Sequence, residues 1–358
     1  MSEASKGQDF ESNLSKATTQ VAEFDSNRRG FVDKLQHVLH ENPALVPLIV
    51  LVMSLGIFAV LVGQKFFSPF ALTLILQQVQ IVGVLAAAQS LIILTAGIDL
   101  SVGAIAVLCS VVMGQMTFRY GIPASIAIPI GLLAGTLIGA ASGWLVARVK
   151  LPPFIVTLGM WQIVLAANYI YSANETIRSQ DIEADAPMLQ FFGTQLKMAG
   201  ATFTYGVIFM VFLFILLTYI LRQTAWGRHV YAVGDDPEAA ELAGVDVKRT
   251  IISVYAVVGL ICGFAAWVMI GRFGSVSPSA TTGVIGNIQS ITAVVIGGIS
   301  LFGGRGSILG ALFGALIVGV FELGLRMYGA DPQWTFLLIG VLIIGATTVD
   351  QWIRKAAA

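Results

Sequence analysis

Long apolar runs separated by short polar stretches fill the chain from residue 44 onward. A helix that crosses a bilayer needs about 20 mostly apolar residues. Ten runs meet or approach that length, centred on 44–63, 79–96, 102–118, 124–147, 153–171, 203–221, 250–271, 287–300, 307–327 and 334–349. The eighth is short, which leaves open whether it is broken or re-entrant. The pattern predicts an all-α polytopic membrane protein of about ten transmembrane helices over residues 44–358, preceded by a polar tail over 1–43. Within that tail, Phe31 to His40 could form a short amphipathic helix on the membrane surface. No cleavable signal peptide is expected, because the first apolar run is long enough to stay in the bilayer.

Loop charge sets the orientation. With the N-terminus inside, 14 Lys and Arg residues fall on the inner side and six on the outer. That bias predicts N-in and C-in. Two connections are long. Residues 172–202 would face the periplasm, carry four acids and include the apolar patch Met188 to Phe192, while residues 222–249 would face the cytoplasm. Glycines recur every four positions at Gly131, Gly135, Gly139 and Gly143, at Gly306, Gly310 and Gly314, and at Gly259 and Gly263. In lipid such ladders let helix backbones approach closely, so these positions read as packing surfaces.

Composition agrees with the pattern and removes several functions. Apolar residues make up 56% of the chain and charged ones 11%, against about 25% charged in a typical soluble domain. The net charge is zero and no basic patch carries interleaved aromatics, which argues against nucleic acid as a partner. Cys109 and Cys262 lie inside apolar runs and read as small buried hydrophobes, not a disulfide or metal site. There is no phosphate-binding G-x-x-x-x-G-K-[ST] loop and no H-E-x-x-H motif; His37, His40 and His229 sit outside the spans. No catalytic constellation, metal or cofactor is expected. Of the acids only Asp99 and Glu322 fall at or within spans, too few for the chain of ionisable groups a proton-coupled pump needs.

Two stretches interrupt the apolar runs in a similar way. "LTAGIDLSVGAI" (94–105) has Gly97 and Gly103 where unusual backbone angles are expected, and Asp99 and Ser101 where they could cap the next helix. "VIGGISLFGGRGSI" (295–308) aligns Gly298, Ile299, Leu301 and Gly304 with Gly97, Ile98, Leu100 and Gly103, and adds Ser300 and Gly303. Either is explained singly as a turn; the repetition points to an inner-side element that bends or meets a partner. Amides and an indole within the spans could line a path for a neutral polar solute: Gln78 and Gln89 on one helix, Trp161 and Asn168 on another, Asn287 and Gln289 on a third. Interhelical hydrogen bonding, about 0.6 kcal/mol each, would account for the same residues.

The stretch "DDPEAAELAG" (235–244) reads as a very short helix in the inner connection. Asp236 can cap it, Pro237 suits its first position, and Gly244 suits a left-handed stop. Glu238 lies in the first turn, where the helix dipole favours negative charge. At about eight residues it would be marginal alone, so it wants something to pack on. Small Ala239 and Ala240 would allow close approach, with Ala240 expected on the docking face, and Glu238 and Glu241 would offer charge to a basic surface.

Glu238, Ala239, Ala240 and Gly244 form the E-A-A-x-x-x-G pattern that resembles the cytoplasmic loop of bacterial ABC-importer permeases. "GIDLSVGAI", "LGMW" (158–161), "GRHVYAVGDDPEAAELAGVDVKR" (227–249), "AVVIGGISLFGGRGSI" (293–308) and "GALFGALIVGVFELGL" (310–325) resemble the ribose/xylose/galactose/fructose permeases, closest to the fructose type. The resemblance covers nearly all the chain beyond residue 44. It implies an inner-membrane permease subunit that imports a monosaccharide, paired as a homodimer. Two cytoplasmic ATP-binding subunits would dock on residues 236–244, and a periplasmic sugar-binding protein would dock on 172–202. A secondary transporter or facilitator for a small neutral solute is the alternative.

Overall fold

The computed structural model describes residues 44–198 and 200–357. The amphipathic helix expected at 31–40 lies outside the described residues. Helices build almost everything. They are α1 (Leu45–Val62, continued by a 3-10 turn Gly63–Phe67), α2 (Pro69–Leu94), α3 (Val102–Phe118), α4 (Ala124–Ala147) and α5 (Pro153–Ser172). A short α6 (Ser179–Asp185), a 3-10 turn (Pro187–Gly193) and an antiparallel hairpin of β1 (Gln195–Met198) and β2 (Ala201–Thr204) follow. The chain continues as α7 (Tyr205–Gln223), α8 (Ala225–Asp235), α9 (Pro237–Leu242), α10 (Val247–Phe273), α11 (Ala280–Ile296), α12 (Ile308–Tyr328) and α13 (Pro332–Ala357).

Among the described residues, seven helices are long and apolar enough to cross a membrane: α1 with its 3-10 extension, α2, α4, α5, α7, α10 and α12. Shorter apolar helices, α3, α11 and Gln333–Thr348 within α13, take the places of the other three expected spans. At 17 residues α3 and α11 are each about 26 Å long, less than the roughly 30 Å hydrocarbon core. Both adjoin the irregular repeat stretches.

Several boundaries differ from expectation, each for a tertiary reason. The second helix starts at Pro69, ten residues before the expected 79, because Ser68 caps it by accepting from the Ala71 N–H at 3.1 Å. Its early glutamines are bonded to other elements: Gln77 Nε2 donates to the Thr202 carbonyl at 3.0 Å, and Gln80 Oε1 accepts from the Thr204 hydroxyl at 2.7 Å. The eighth helix runs over 280–296 instead of 287–300, capped by Ser279, so Asn287 and Gln289 sit mid-helix. The long connection 172–202 is folded. Leu189 and Phe192 of its apolar patch are buried, with Phe192 against Trp267 of α10 at 4.7 Å between ring centres and against Phe209 of α7 at 4.9 Å. Met188 and Phe191 keep an exposed edge.

The glycine ladders form the tightest seam. A Cβ on Gly135 or Gly139 of α4 would collide with the Gly259 and Tyr255 carbonyls of α10, and Gly263 faces Leu132. Gly310 and Gly314 of α12 lie likewise against Gly297 and Ala293. Gly306 departs from this pattern: it precedes α12, with φ +127°, and a Cβ there would meet Ile299 at 2.6 Å.

Candidate functional site

The stretch 235–244 folds as a six-residue helix, α9, shorter than the eight expected. Asp236 is extended (φ −153°, ψ 105°) and its Oδ1 accepts from the N–H groups of Glu238 at 2.9 Å and Ala239 at 3.0 Å. Pro237 is the first helical residue, and Gly244 closes the end at φ +86°, its N–H donating to the Glu241 carbonyl at 3.0 Å. The helix is mounted on the bundle by one side. Ala240, expected on the docking face, is only 5% exposed and turns inward, because its methyl is the small group that lets α9 lie flat. Glu238, Ala239 and Glu241 are exposed. Leu242, which sequence reasoning passed over, is 91% exposed. Its signal was a lone large apolar side chain in an otherwise acidic, alanine-rich helix.

Helix α8 links α9 to the interior. Trp226 Nε1 donates to the Ser253 hydroxyl of α10 at 2.8 Å, fixing the start of α8. Its end is wedged between the two repeat stretches. Gly234 has no room for a Cβ, which would overlap the Leu94 carbonyl at the end of α2 and come within 2.7 Å of the Gly304 nitrogen. Those two atoms are themselves hydrogen-bonded, Gly304 N–H to the Leu94 carbonyl at 3.0 Å. Gly303 (φ +81°) approaches the Gly234 carbonyl and Ala96, and Gly304 (φ +69°) approaches Asp235. The Tyr231 hydroxyl of α8 donates to the Gly306 carbonyl at 3.0 Å. Burial pushes the Tyr231 phenol above its usual pKa, against the pull of the Arg222 charge, so it stays a protonated donor. Two residues before the Asp236 cap, Gly234 thus touches both repeats at once.

The two repeats share a helix-ending device. After α2, Gly97 N–H donates to the Ile92 carbonyl at 3.0 Å, with Ala96 left-handed at φ +59°. After α11, Ile299 N–H donates to the Val294 carbonyl at 3.2 Å, with Gly298 at φ +75°. Both are Schellman-type stops, so Ala96 corresponds to Gly298, one place from the alignment by sequence. Gly97 is consequently not the residue with the unusual angle. Gly103 is needed for close approach: a Cβ there would overlap the Gly283 carbonyl of α11. Asp99, one of the two residues expected to cap α3, meets the backbone of Ser101 and of Val102 at the start of the helix. Its Oδ1 accepts from both the N–H (2.7 Å) and the hydroxyl (2.6 Å) of Ser101, which stiffens the turn, and the Ser101 side chain makes no capping bond to the helix. Ser300 plays a comparable part in the second turn, where its Oγ accepts from Phe302 N–H at 3.3 Å and its carbonyl accepts from Gly303 N–H at 3.0 Å.

The polar residues separate into three settings. Gln78 donates to Glu322 Oε1 of α12 at 2.9 Å, and Glu322 also pairs with Arg326 at 3.3 Å. Asn287 Nδ2 donates to the Leu100 carbonyl at 3.1 Å, holding the first repeat turn; Thr157 of α5, which sequence reasoning missed, holds the same turn through the Ile98 carbonyl at 3.0 Å. Gln289 is half-buried on α11. Gln89 is fully buried, and neither atom of its amide has a partner among the described residues. Trp161 and Asn168 come together with Leu165 along one side of a narrow cleft of about 10 Å³, room for one water, bounded by Ala104 and Val107 of α3 and by Ser279, Ala280 and Gly283 at the start of α11. Gln78, Gln89, Asn287 and Gln289 do not line it.

The arrangement is a multi-pass helical bundle with an exposed short helix connected to two internal turns. Residues 71–347 match the family described as branched-chain amino acid transport system / permease component, and the chain belongs to that family. It is 66% identical over 355 residues (99% of this chain and 98% of the relative) to the fructose import permease protein of Rhizobium meliloti. It is 33% identical over 313 residues (87% and 94%) to the ribose import permease protein of Escherichia coli. With the D-allose transport system permease protein of Escherichia coli it shares 30% identity over 306 residues (86% and 91%). No solved structure matches it.

Proposed function

We propose that the chain is the membrane-spanning subunit of an ATP-driven monosaccharide importer in the bacterial inner membrane, with fructose the favoured sugar. The observation that carries this reading is the mounting of α9: exposed on one side, backed by buried Ala240, and joined within two residues to the contact between the repeats. The name of the 66% identical relative supports the substrate class and favours the hexose. ATP hydrolysis belongs to two cytoplasmic partner subunits. Their closure pushes on Glu238, Ala239, Glu241 and Leu242. The push reaches Gly234, and from there the ends of α2 and α11, where the path opens to one side or the other. The excess of Lys and Arg in the inner connections supports an N-in, C-in orientation with α9 cytoplasmic. Two copies of the chain flank a central path. The folded connection 172–202, with Met188 and Phe191 exposed, receives a periplasmic sugar-binding protein.

The test is purification of the tagged chain from its native membranes beside Leu242→Arg. Wild type is expected to bring down an ATP-binding subunit, and the variant to insert normally but lose it. An unpaired exposed leucine that packs into a partner groove contributes about 1.5–3 kcal/mol when buried. Retention of the ATPase by Leu242→Arg removes α9 from the interface. Gradient-driven sugar transport by the chain alone, with no ATPase recovered, replaces the importer by a facilitator.

A further inference from the structure

We infer that Ile177 and Val276 are positioning residues: their pairing clasps the connection 172–202 to α3 and to the start of α11, and so sets the place of the first repeat turn. The two form an antiparallel bridge, with Ile177 N–H donating to the Val276 carbonyl at 2.9 Å and Val276 N–H donating to the Ile177 carbonyl at 3.1 Å. Both side chains are buried, Ile177 at 8% exposed and Val276 at 1%. They rest on α3, where a Cβ on Gly114 would meet Ile177 Cδ1 at 2.8 Å and Val276 Cγ2 at 2.9 Å. A single bridge has too few bonds to persist alone in water, so it depends on that floor. Arg119, just after α3, ties in the same stretch. Its guanidinium donates to the Tyr171 carbonyl at 2.9 Å and to Glu175 Oε2 at 3.1 Å.

From the bridge the chain reaches the first turn in few steps. Residues 277–279, between Val276 and α11, are not helical. The far side of this stretch is also held on α3, because Gly283 packs on Gly103 with no room for a Cβ. Gly103 and Gly114 are eleven residues apart, about 16.5 Å along α3. Even with 276–280 fully extended, the chain from Val276 to Gly283 spans only about 18 Å, so it has little slack. A shift of the bridge is therefore passed to α11. Asn287 of α11 passes it on, since its Nδ2 donates to the Leu100 carbonyl of the first turn at 3.1 Å. Another part of the connection is fixed elsewhere. Gln190 Nε2 donates to the Gly274 carbonyl at 2.8 Å, and Trp267 Nε1 of α10 donates to the Met188 carbonyl at 3.1 Å. One part of the connection is thus anchored at the end of α10, and the other on α3 and α11.

The inference takes its purpose from the importer reading, in which the connection receives the sugar-binding protein, but its test needs no partner. Ile98→Cys places a thiol in the first repeat turn, where Ile98 is 37% exposed, whereas native Cys109 and Cys262 are buried. The purified full-length permease is labelled with a small maleimide, and labelling is followed on the peptide that holds residue 98. Adding Ile177→Pro removes one bond of the bridge and is expected to speed labelling about fivefold, the factor of one neutral hydrogen bond. Asn287→Leu frees the turn directly and is expected to speed it at least as much. Leu196→Pro, in the β1–β2 hairpin of the same connection, is expected to leave the rate unchanged. The Thr176 and Ser277 hydroxyls lie 3.4 Å apart beside the bridge. Thr176→Cys with Ser277→Cys is expected to close the clasp by a disulfide on oxidation and return the Ile177→Pro rate to that of the parent. Where Ile177→Pro exposes Cys109 or Cys262 to label, Ile177→Ala is measured in its place. An unchanged rate in the folded Ile177 variant overturns the clasp, as does equal speeding by Leu196→Pro. So does an unchanged rate with Asn287→Leu, or a cysteine pair that does not oxidise or does not restore the rate. Failure to recover an ATPase with the native chain would instead count against the importer reading and leaves this measurement intact.

Discussion

The α4–α10 seam and the junction around Gly234 use the same device for different ends. In both, a glycine lets backbone lie on backbone where any side chain would collide. In the seam, Gly135, Gly139 and Gly143 sit inside a regular helix, none at a positive φ, and the contact is spread along about two turns. At the junction the contact is concentrated on a few atoms at helix ends: the Leu94 carbonyl, the Gly304 nitrogen and Gly234. The neighbouring Ala96, Gly298, Gly303 and Gly304 are all left-handed. A distributed contact between regular helices resists relative motion, because sliding would lose every turn at once. A concentrated one between irregular ends passes a displacement on with little else to hold it. The seam is therefore the frame, and the junction is the joint.

The largest expected effect follows from filling the frame. Gly135→Leu forces a side chain into the Gly259 carbonyl, an overpacking cost at or above about 3 kcal/mol, and should leave little monodisperse protein after extraction from membranes. Wild-type yield would show that the seam tolerates separation and is not the frame. The joint should respond differently. Gly234→Ala adds one methyl against the Leu94 carbonyl; the protein should accumulate, but sugar uptake per ATP hydrolysed should fall about tenfold, the factor given by 1.4 kcal/mol. Loss of folded protein there, to the extent seen with Gly135→Leu, would erase the distinction between the two regions. Smallest is Tyr231→Phe, which removes only the hydrogen bond to Gly306, about 1 kcal/mol. It should reduce uptake a few-fold at unchanged yield, and unaltered uptake would remove Tyr231 from the joint.

Particular elements show where sequence reasoning reached and where it stopped. The seam was legible because a four-residue glycine period is a local pattern with a single use in lipid. The cap, first proline and stop of α9 were legible because each satisfies a backbone need within a few residues. The early start of α2 was not, since the partners of Gln77, Gln78 and Gln80, namely Thr202, Glu322 and Thr204, lie more than a hundred residues away. Nor was the inward turn of Ala240, because a six-residue helix is too short to reveal which side is covered. The amides shared one chemistry and one sequence context. Packing against α12 assigned Gln78, holding a turn assigned Asn287, and a narrow cleft distinguished Asn168.

Hydrophobic run length and the repeated glycines were enough to establish a helical membrane protein with closely packed helices and two related interruptions. Each of these rests on interactions within one segment or between a segment and its solvent, and so is written locally. Which carbonyl Gly234 lies against, which amide borders the cleft and which face of α9 is free depend on residues dozens to hundreds of positions apart. Those were decided only when the helices packed, because an unmade hydrogen bond or an absent Cβ takes its meaning from what stands opposite.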